Sequence, residues 1–267
     1  MAVSADGKSW FLLNCSPEIR AQIESFPGLH PRAQRDTPVQ GILLTNGDLD
    51  HCLGLLSLRE SQPLTLYATD RVRRGFTENN VLYRTLQRFE GQVVWRELEL
   101  GSPGPEQPLL LHNGEPSGLT VRAFPAPGKA ALHLDQSKPE PGDNIGLLIH
   151  DLRTHKTLAY VAAVGANSAA VAVATRDAQA VFFDGTFWSS DELIRLGASE
   201  RRAEDMAHWP VGGRNGSLAF LSQLPAARKV LIHINNTNPI LREDSAERAE
   251  VQSQGVEVAY DGMELEL

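Results

Sequence analysis

Asp50 and His51 are adjacent, Asp48 lies two residues before Asp50, and Asp184, His208 and His233 are scattered far down the chain. Carboxylates and imidazoles are the side chains that bind metal ions and move protons near neutral pH. Three apolar runs end in such groups. Gly41-Ile42-Leu43-Leu44 leads through Thr45-Asn46-Gly47 into Asp48, Asp50 and His51; Ala180-Val181-Phe182-Phe183 leads into Asp184; Lys229-Val230-Leu231-Ile232 leads into His233. A carboxylate and two imidazoles converging from strand ends make a metal site. Two histidines with one carboxylate leave coordination positions open, as non-haem iron oxygenases need. The surplus of oxygen donors (Asp48, Asp50, Asp184) favours a harder ion than a thiolate site would take.

Each of these residues also has a plain structural reading. Asp50 is able to cap the helix that follows it, His51 to bond a backbone carbonyl at a helix start, and Asp184 to serve the turn before Gly185. Asp48 and Asn46 are good loop formers, and His208 sits in the loop Met206–Val211. His233 is harder to dismiss, because an imidazole buried at a strand end needs a partner. His30, His112, His133, His150 and His155 fall on turns and loops and read as surface residues, while Cys52 reads as buried helix packing.

The elements that must position this chemistry alternate between short apolar strands and helices. Strands are expected at 9–14, 41–44, 64–68, 93–98, 109–111, 119–124, 145–150, 157–161, 180–183, 229–232 and 256–259. The pair at 145–150 and 157–161 reads as a hairpin. Helices are expected from Ser16-Pro17-Glu18, over 53–59, from Asp70, over 81–89, 168–178, from Ser190, over 217–224 and over 242–254. The polar, Pro-containing stretch 129–143 reads as a surface loop that covers the site. No internal stretch has the composition of a linker, so residues 1–267 are expected to form a single domain.

The chain has 267 residues, 42% of them apolar, a formal charge of −8 and a pI near 5.5. An acidic chain without a basic cluster is not expected to bind nucleic acid or an anionic membrane surface. It shows no spanning apolar run and no signal-peptide pattern, and its only cysteines are Cys15 and Cys52. The expectation is a cytoplasmic protein without a disulfide framework.

Thr45-Asn-Gly-Asp-Leu-Asp-His51 resembles the Thr-His-x-His-x-Asp-His motif of the metallo-β-lactamase superfamily with both early histidines replaced. Together with Phe183-Asp-Gly-Thr-Phe-Trp188, His208-Trp-Pro-Val211 and His233-Ile-Asn-Asn-Thr-Asn-Pro239, it is similar to the pyrroloquinoline quinone (PQQ) biosynthesis protein B family. The resemblance implies an α/β fold, an αββα sandwich of two mixed sheets packed face to face with helices outside. It implies a role in making PQQ from a ribosomal precursor peptide, by iron- and O2-dependent hydroxylation of the tyrosine of a Glu-Tyr unit to a catechol. A non-catalytic carrier that moves PQQ or a precursor toward the periplasm, and a zinc-dependent hydrolase, are the alternatives.

Carried over position by position, the resemblance makes Asp50, His51 and His233 metal ligands and Asp184 the counterpart of the superfamily's bridging aspartate. Asn46 and Asp48 stand where two zinc-binding histidines would be, which speaks against a two-zinc hydrolase. The implied ion is Fe(II), with Zn(II) as the alternative. Asp184, His208 and Asp48 are the candidates for proton transfer, and Asn46, Thr186, Asn235 and Asn236 for lining the site. The implied partners are a tyrosine-containing dipeptide or PQQ precursor, other proteins of the pathway, and a second copy of the chain in a homodimer. Family members usually begin with a strand and a Cys-x-Cys-x-x-Cys segment that holds a structural zinc. This sequence starts after that point, so no structural zinc is expected, and an exposed sheet edge with reduced stability is.

Overall fold

A computed structural model of the chain describes residues 1–60, 62–131 and 138–267. The first sheet runs in the order β1 (Ala2–Val3), β2 (Trp10–Leu13), β3 (Val39–Leu43), β4 (Leu64–Ala68), β5 (Val93–Glu97). Only β1 is antiparallel to its neighbour; the other three pairings are parallel. The second sheet begins as an antiparallel meander of β6 (Gln107–Leu110), β7 (Pro116–Pro125), β8 (Ile145–Asp151) and β9 (Lys156–Val161). It continues in parallel from β9 to β10 (Ala180–Asp184), β11 (Arg228–Ile232) and β12 (Glu257–Val258).

Side chains alternate across a strand, and here both faces are buried. Phe11, Leu13, Leu43 and Tyr67 of the first sheet meet Val121, Ala123, Ile145, Leu147, Tyr160 and Phe182 of the second in one core. The intervening residues face outward onto helices. Leu12, Ile42 and Leu66 pack with Ile19 of α1 (Ile19–Ser25) and with Val72 and Phe76 of α3 (Asp70–Asn79). On the other side Phe124, Val181, Phe183 and Leu231 pack under α4 (Ala169–Arg176), α6 (Ser217–Ser222) and α7 (Ala246–Ser253), with the single turn α5 (Glu192–Arg195) between α4 and α6 in the chain. This is the αββα sandwich with both sheets mixed. Among the described residues no helix is long and apolar enough to cross a membrane.

Helix boundaries are where composition misleads. Residues 53–59 form a 3-10 helix (Leu53–Leu58), preceded by a single α-turn, α2 (Leu49–Cys52), that contains Asp50 and His51. The site residues are therefore in the helical turn, not in the loop before it. Gly54 makes this entry possible: a Cβ there would lie 2.1 Å from the Ser16 carbonyl oxygen. Over 81–89 only a 3-10 turn, Val81–Thr85, forms, and α7 starts at Ala246 because the Ser245 hydroxyl accepts from Arg248 N at 3.0 Å. Helix α1 starts two residues after Pro17, with Ile19 N bonding the Ser16 carbonyl instead of a capping hydroxyl.

His150 is on strand β8, half-buried, and pairs its Nδ1 with Thr157 Oγ1 at 3.0 Å across the hairpin; it is not a turn residue. His133 and the middle of the expected covering loop lie outside the described residues. The end of that loop is anchored to the first sheet's helix layer. Arg71 Nε donates to Asp143 Oδ1 at 2.8 Å, and Thr69 Oγ1 donates to the Gly142 carbonyl at 2.7 Å.

Phe183 is fully buried, with ring centroids 6.3 Å from Trp209 and 5.8 Å from Phe220. Phe183→Ala is expected to cost about 3–5 kcal/mol in urea unfolding. A loss below about 1 kcal/mol would contradict this packing.

Candidate metal centre

The carboxyl ends of β3, β10 and β11 meet where the two sheets adjoin. The backbone closes this end directly: Ile145 N donates to the Thr45 carbonyl at 2.9 Å, and Asn46 bridges Asn144. Two candidate clusters share one histidine. Asp50, His51 and His233 form the first, and Asp184, His208 and His233 the second.

In the first cluster His51 Nε2 lies 2.9 Å from His233 Nε2, and Asp50 Oδ2 lies 2.9 Å from His233 Nε2 and 3.8 Å from His51 Nε2. Donor atoms bound to one ion about 2.0–2.2 Å away sit at such mutual separations. His51 is buried, and its Nδ1 faces Thr45 Oγ1 at 3.2 Å and Asn14 Nδ2 at 3.0 Å. The orientation of the Asn14 amide is set by Thr45 N, which donates to its Oδ1 at 2.9 Å. Asp50 does not cap a helix, and His51 does not bond a backbone carbonyl through its ring. Both are turned toward His233 instead.

Asp184 is wholly buried and accepts four hydrogen bonds. Val164 N (2.9 Å) and His208 Nδ1 (2.7 Å) reach Oδ2; Thr186 N (3.0 Å) and Thr186 Oγ1 (2.6 Å) reach Oδ1. The turn chemistry expected of Asp184 is present, through Thr186 N, alongside its bond to His208. Thr186 Oγ1 also lies 2.7 Å from His233 Nδ1, so one hydroxyl joins the buried carboxylate to the shared histidine. The His208 and His233 rings stack with centroids 5.4 Å apart.

Charge distribution follows from these contacts. Burial, then the neighbouring His233 charge, push the His51 pKa down to about 4. Burial alone would raise the Asp50 and Asp184 carboxyls. The His233 hydrogen bond and both histidine charges outweigh it at Asp50, the His208 charge and hydrogen bond at Asp184, and both stay below the usual carboxylate range. His233 is held above the ordinary imidazole value because Asp50 and Asp184 outweigh its desolvation. Burial pushes the Cys15 thiol up to about 12 and raises Cys52 as well, which leaves both as neutral packing groups.

Of the expected lining residues, Thr186 is central. Asn46 is buried but spends its amide on the fold, donating to Asn144 Oδ1 at 3.1 Å and accepting from Asp48 N at 3.0 Å. Asp48 lines a cleft beside His208 together with Asn46, Lys129 and Asn144. Asn235 braces the loop after β11: its N–H bonds the Thr186 carbonyl at 3.1 Å and its Nδ2 donates to Thr237 Oγ1 at 2.6 Å. Asn236 is exposed in the same loop. The sequence reading missed Asn14, Thr45 and Asn238. Asn14 and Thr45 follow apolar strands just as Asp184 does, which was the available signal. Asn238 is buried and donates to the Gly185 carbonyl at 2.8 Å.

Comparison with known proteins places this geometry. A family model described as "Beta-lactamase superfamily domain" matches residues 9–234, a span that includes every candidate ligand. Coenzyme PQQ synthesis protein B of Pseudomonas protegens is 42% identical over 271 residues, covering 100% of this chain and 86% of that protein. The chain belongs to the coenzyme PQQ synthesis protein B family. The crystal structure of Zn(2+)-bound PqqB from Methylobacterium extorquens matches with a TM-score of 0.89 and 38% identity, covering all of this chain and 86% of that one. A diphosphatase of the PhnP family matches with a TM-score of 0.62 at 18% identity, covering 100% and 83%, a likeness of fold.

Thr186→Val keeps the shape of the side chain and removes the hydroxyl that joins Asp184 to His233. Metal affinity is expected to fall about 10- to 100-fold in a calorimetric titration, as for the loss of a group that orients a histidine ligand. Stability is expected to drop by about 1–3 kcal/mol. Unchanged affinity would show that the hydroxyl has no part in holding His233.

Proposed function

We propose that this chain serves PQQ biosynthesis as a metal-dependent oxygenase, hydroxylating the tyrosine ring of a Glu-Tyr precursor to a catechol. The observation that carries this reading is the cluster of Asp50 Oδ2, His51 Nε2 and His233 Nε2 within 2.9–3.8 Å of one another. Two imidazoles and a carboxylate on one face of an ion are the donor set of non-haem iron oxygenases. The residues fit such an ion: ligation through both Nε2 atoms leaves the Nδ1 protons to Thr45 Oγ1 and Thr186 Oγ1, which lie within hydrogen-bond reach.

Bound Fe(II) would supply O2 chemistry at the open positions, with two electrons from an external reductant and two protons, the second oxygen atom leaving as water. The remaining steps belong to the chain. Asp184 already accepts four hydrogen bonds, so its role is positioning: it fixes His208 with the proton on Nδ1 and leaves the Nε2 lone pair available. His208 Nε2 takes the proton lost when a ring C–H becomes C–OH. Asp48, on the same cleft, passes it toward solvent.

The zinc in the Methylobacterium relative favours a second reading, zinc-dependent hydrolysis. Against it, a second ion would have to compete with the Asp184–His208 hydrogen bond and share His233 with the first, and Asn46 is already bonded at both ends of its amide. Protein purified without oxygen, loaded with Fe(II) and given a Glu-Tyr dipeptide, a reductant and isotopically labelled O2 is expected to yield a product carrying one labelled oxygen atom. His51→Ala should lose both the iron and the product. Hydrolysis with zinc alone would support the hydrolase, and tight binding without turnover a carrier; either result overturns the oxygenase reading.

A further inference from the structure

Lys129 is half-buried and lines the cleft shared by Asn46, Asp48, Asn144 and His208. It is the one cation among the described residues of that cleft. No carboxylate among the described residues pairs with it, although the chain carries a net charge of −8 and three carboxylates crowd the site.

The backbone leading up to Lys129 is held through residue 128. Asn144 Nδ2 donates to the Ala163 carbonyl at 2.8 Å, and the Asn144 carbonyl accepts from Ala126 N at 3.1 Å. Gly165 N bonds the Pro127 carbonyl at 2.7 Å. Gly128 lies flat against the Asn144 side chain, where a Cβ would come within 2.5 Å of the Asn144 Cβ. Asn144 also holds Asn46, so one buried amide sets the spacing between the strand end before Asp48 and the residue before Lys129. The opposite wall is His208, whose ring stacks on His233. The cleft encloses only about 10 Å3, the space of about one water, and otherwise opens to solvent, so it meets a polar group at the surface and does not enclose a ligand.

We propose that Lys129 is the substrate anchor: its ammonium binds the C-terminal carboxylate of the dipeptide and directs the phenol ring past His208 toward the Asp50–His51–His233 cluster. This rests on the reading of the substrate given above. A dipeptide with two carboxylates and one ammonium carries net negative charge and is repelled by an acidic site unless a cation such as Lys129 compensates. No bond forms or breaks at Lys129.

The test uses Glu-Tyr dipeptide and its C-terminal amide, with binding measured by calorimetry on iron-loaded protein without O2. Lys129→Met is expected to weaken the free acid about 10- to 100-fold, the worth of a charge-assisted hydrogen bond. The amide should bind the unaltered chain weakly and bind Lys129→Met no worse. Lys129→Arg should restore much of the affinity for the acid, and iron content should match the unaltered chain in both variants. Equal binding of acid and amide by the unaltered chain, or equal binding of the acid before and after Lys129→Met, would overturn the proposal. A Lys129-dependent preference for the acid in a protein that forms no catechol would sustain this anchor and refute the oxygenase reading. Catechol formation unaffected by Lys129→Met at low substrate concentration would do the reverse.

Discussion

The buried carboxylate of Asp184 is the constraint on which the rest of the site depends. An ionised carboxylate without solvent exposure is costly unless every lone pair has a donor. Here four donors come from three separate segments: Val164 after β9, Thr186 after β10 and His208 from the distant loop. Satisfying that one group therefore fixes the relative positions of three loops at the carboxyl end of the second sheet. Through Thr186 it also orients His233, which belongs to the Asp50–His51 cluster as well. The position of the first-sheet ligands is thus coupled to a charge buried in the second.

The same end of the fold carries backbone strain. Asn14, Ala207 and His233 have φ values of 62°, 65° and 56°, in the left-handed region that side chains with a Cβ avoid. Each costs on the order of 1–3 kcal/mol, and each is next to or within the hydrogen-bond network just described. Asn14 bonds Thr45, Ala207 precedes His208, and His233 bonds Asp50. The two-sided core supplies the compensation: β3, β10 and β11 are buried from both faces, which holds the strand ends rigid while the loops beyond them bend sharply.

Much of this was legible in the sequence because strand ends are. The runs 41–44, 180–183 and 230–232 are apolar throughout, as strands buried on both faces must be, and each breaks at a polar group. Helix extents were less legible. Around 53–58 and 81–85 the chain forms 3-10 turns, and at Gly54 it approaches the Ser16 carbonyl more closely than a side chain would allow. The amide and hydroxyl supports were the hardest to read. Asn14 and Asn144 are 130 positions apart, and nothing local in either segment shows that one will hold His51 and the other the loop before Lys129. Asn46 illustrates the opposite lesson. Its place in the motif drew attention as an altered ligand, and the fold instead uses it as a brace.

On this reading one ion is held by Asp50, His51 and His233 while Asp184 stays bonded to His208 and Thr186. A crystal structure of the chain loaded with Fe(II) under anaerobic conditions tests it most directly. The expected result is a single ion on Asp50, His51 Nε2 and His233 Nε2, with Asp184 still accepting from Val164, Thr186 and His208. Two ions bridged by Asp184, or a single ion ligated by Asp184 and His208, would contradict it.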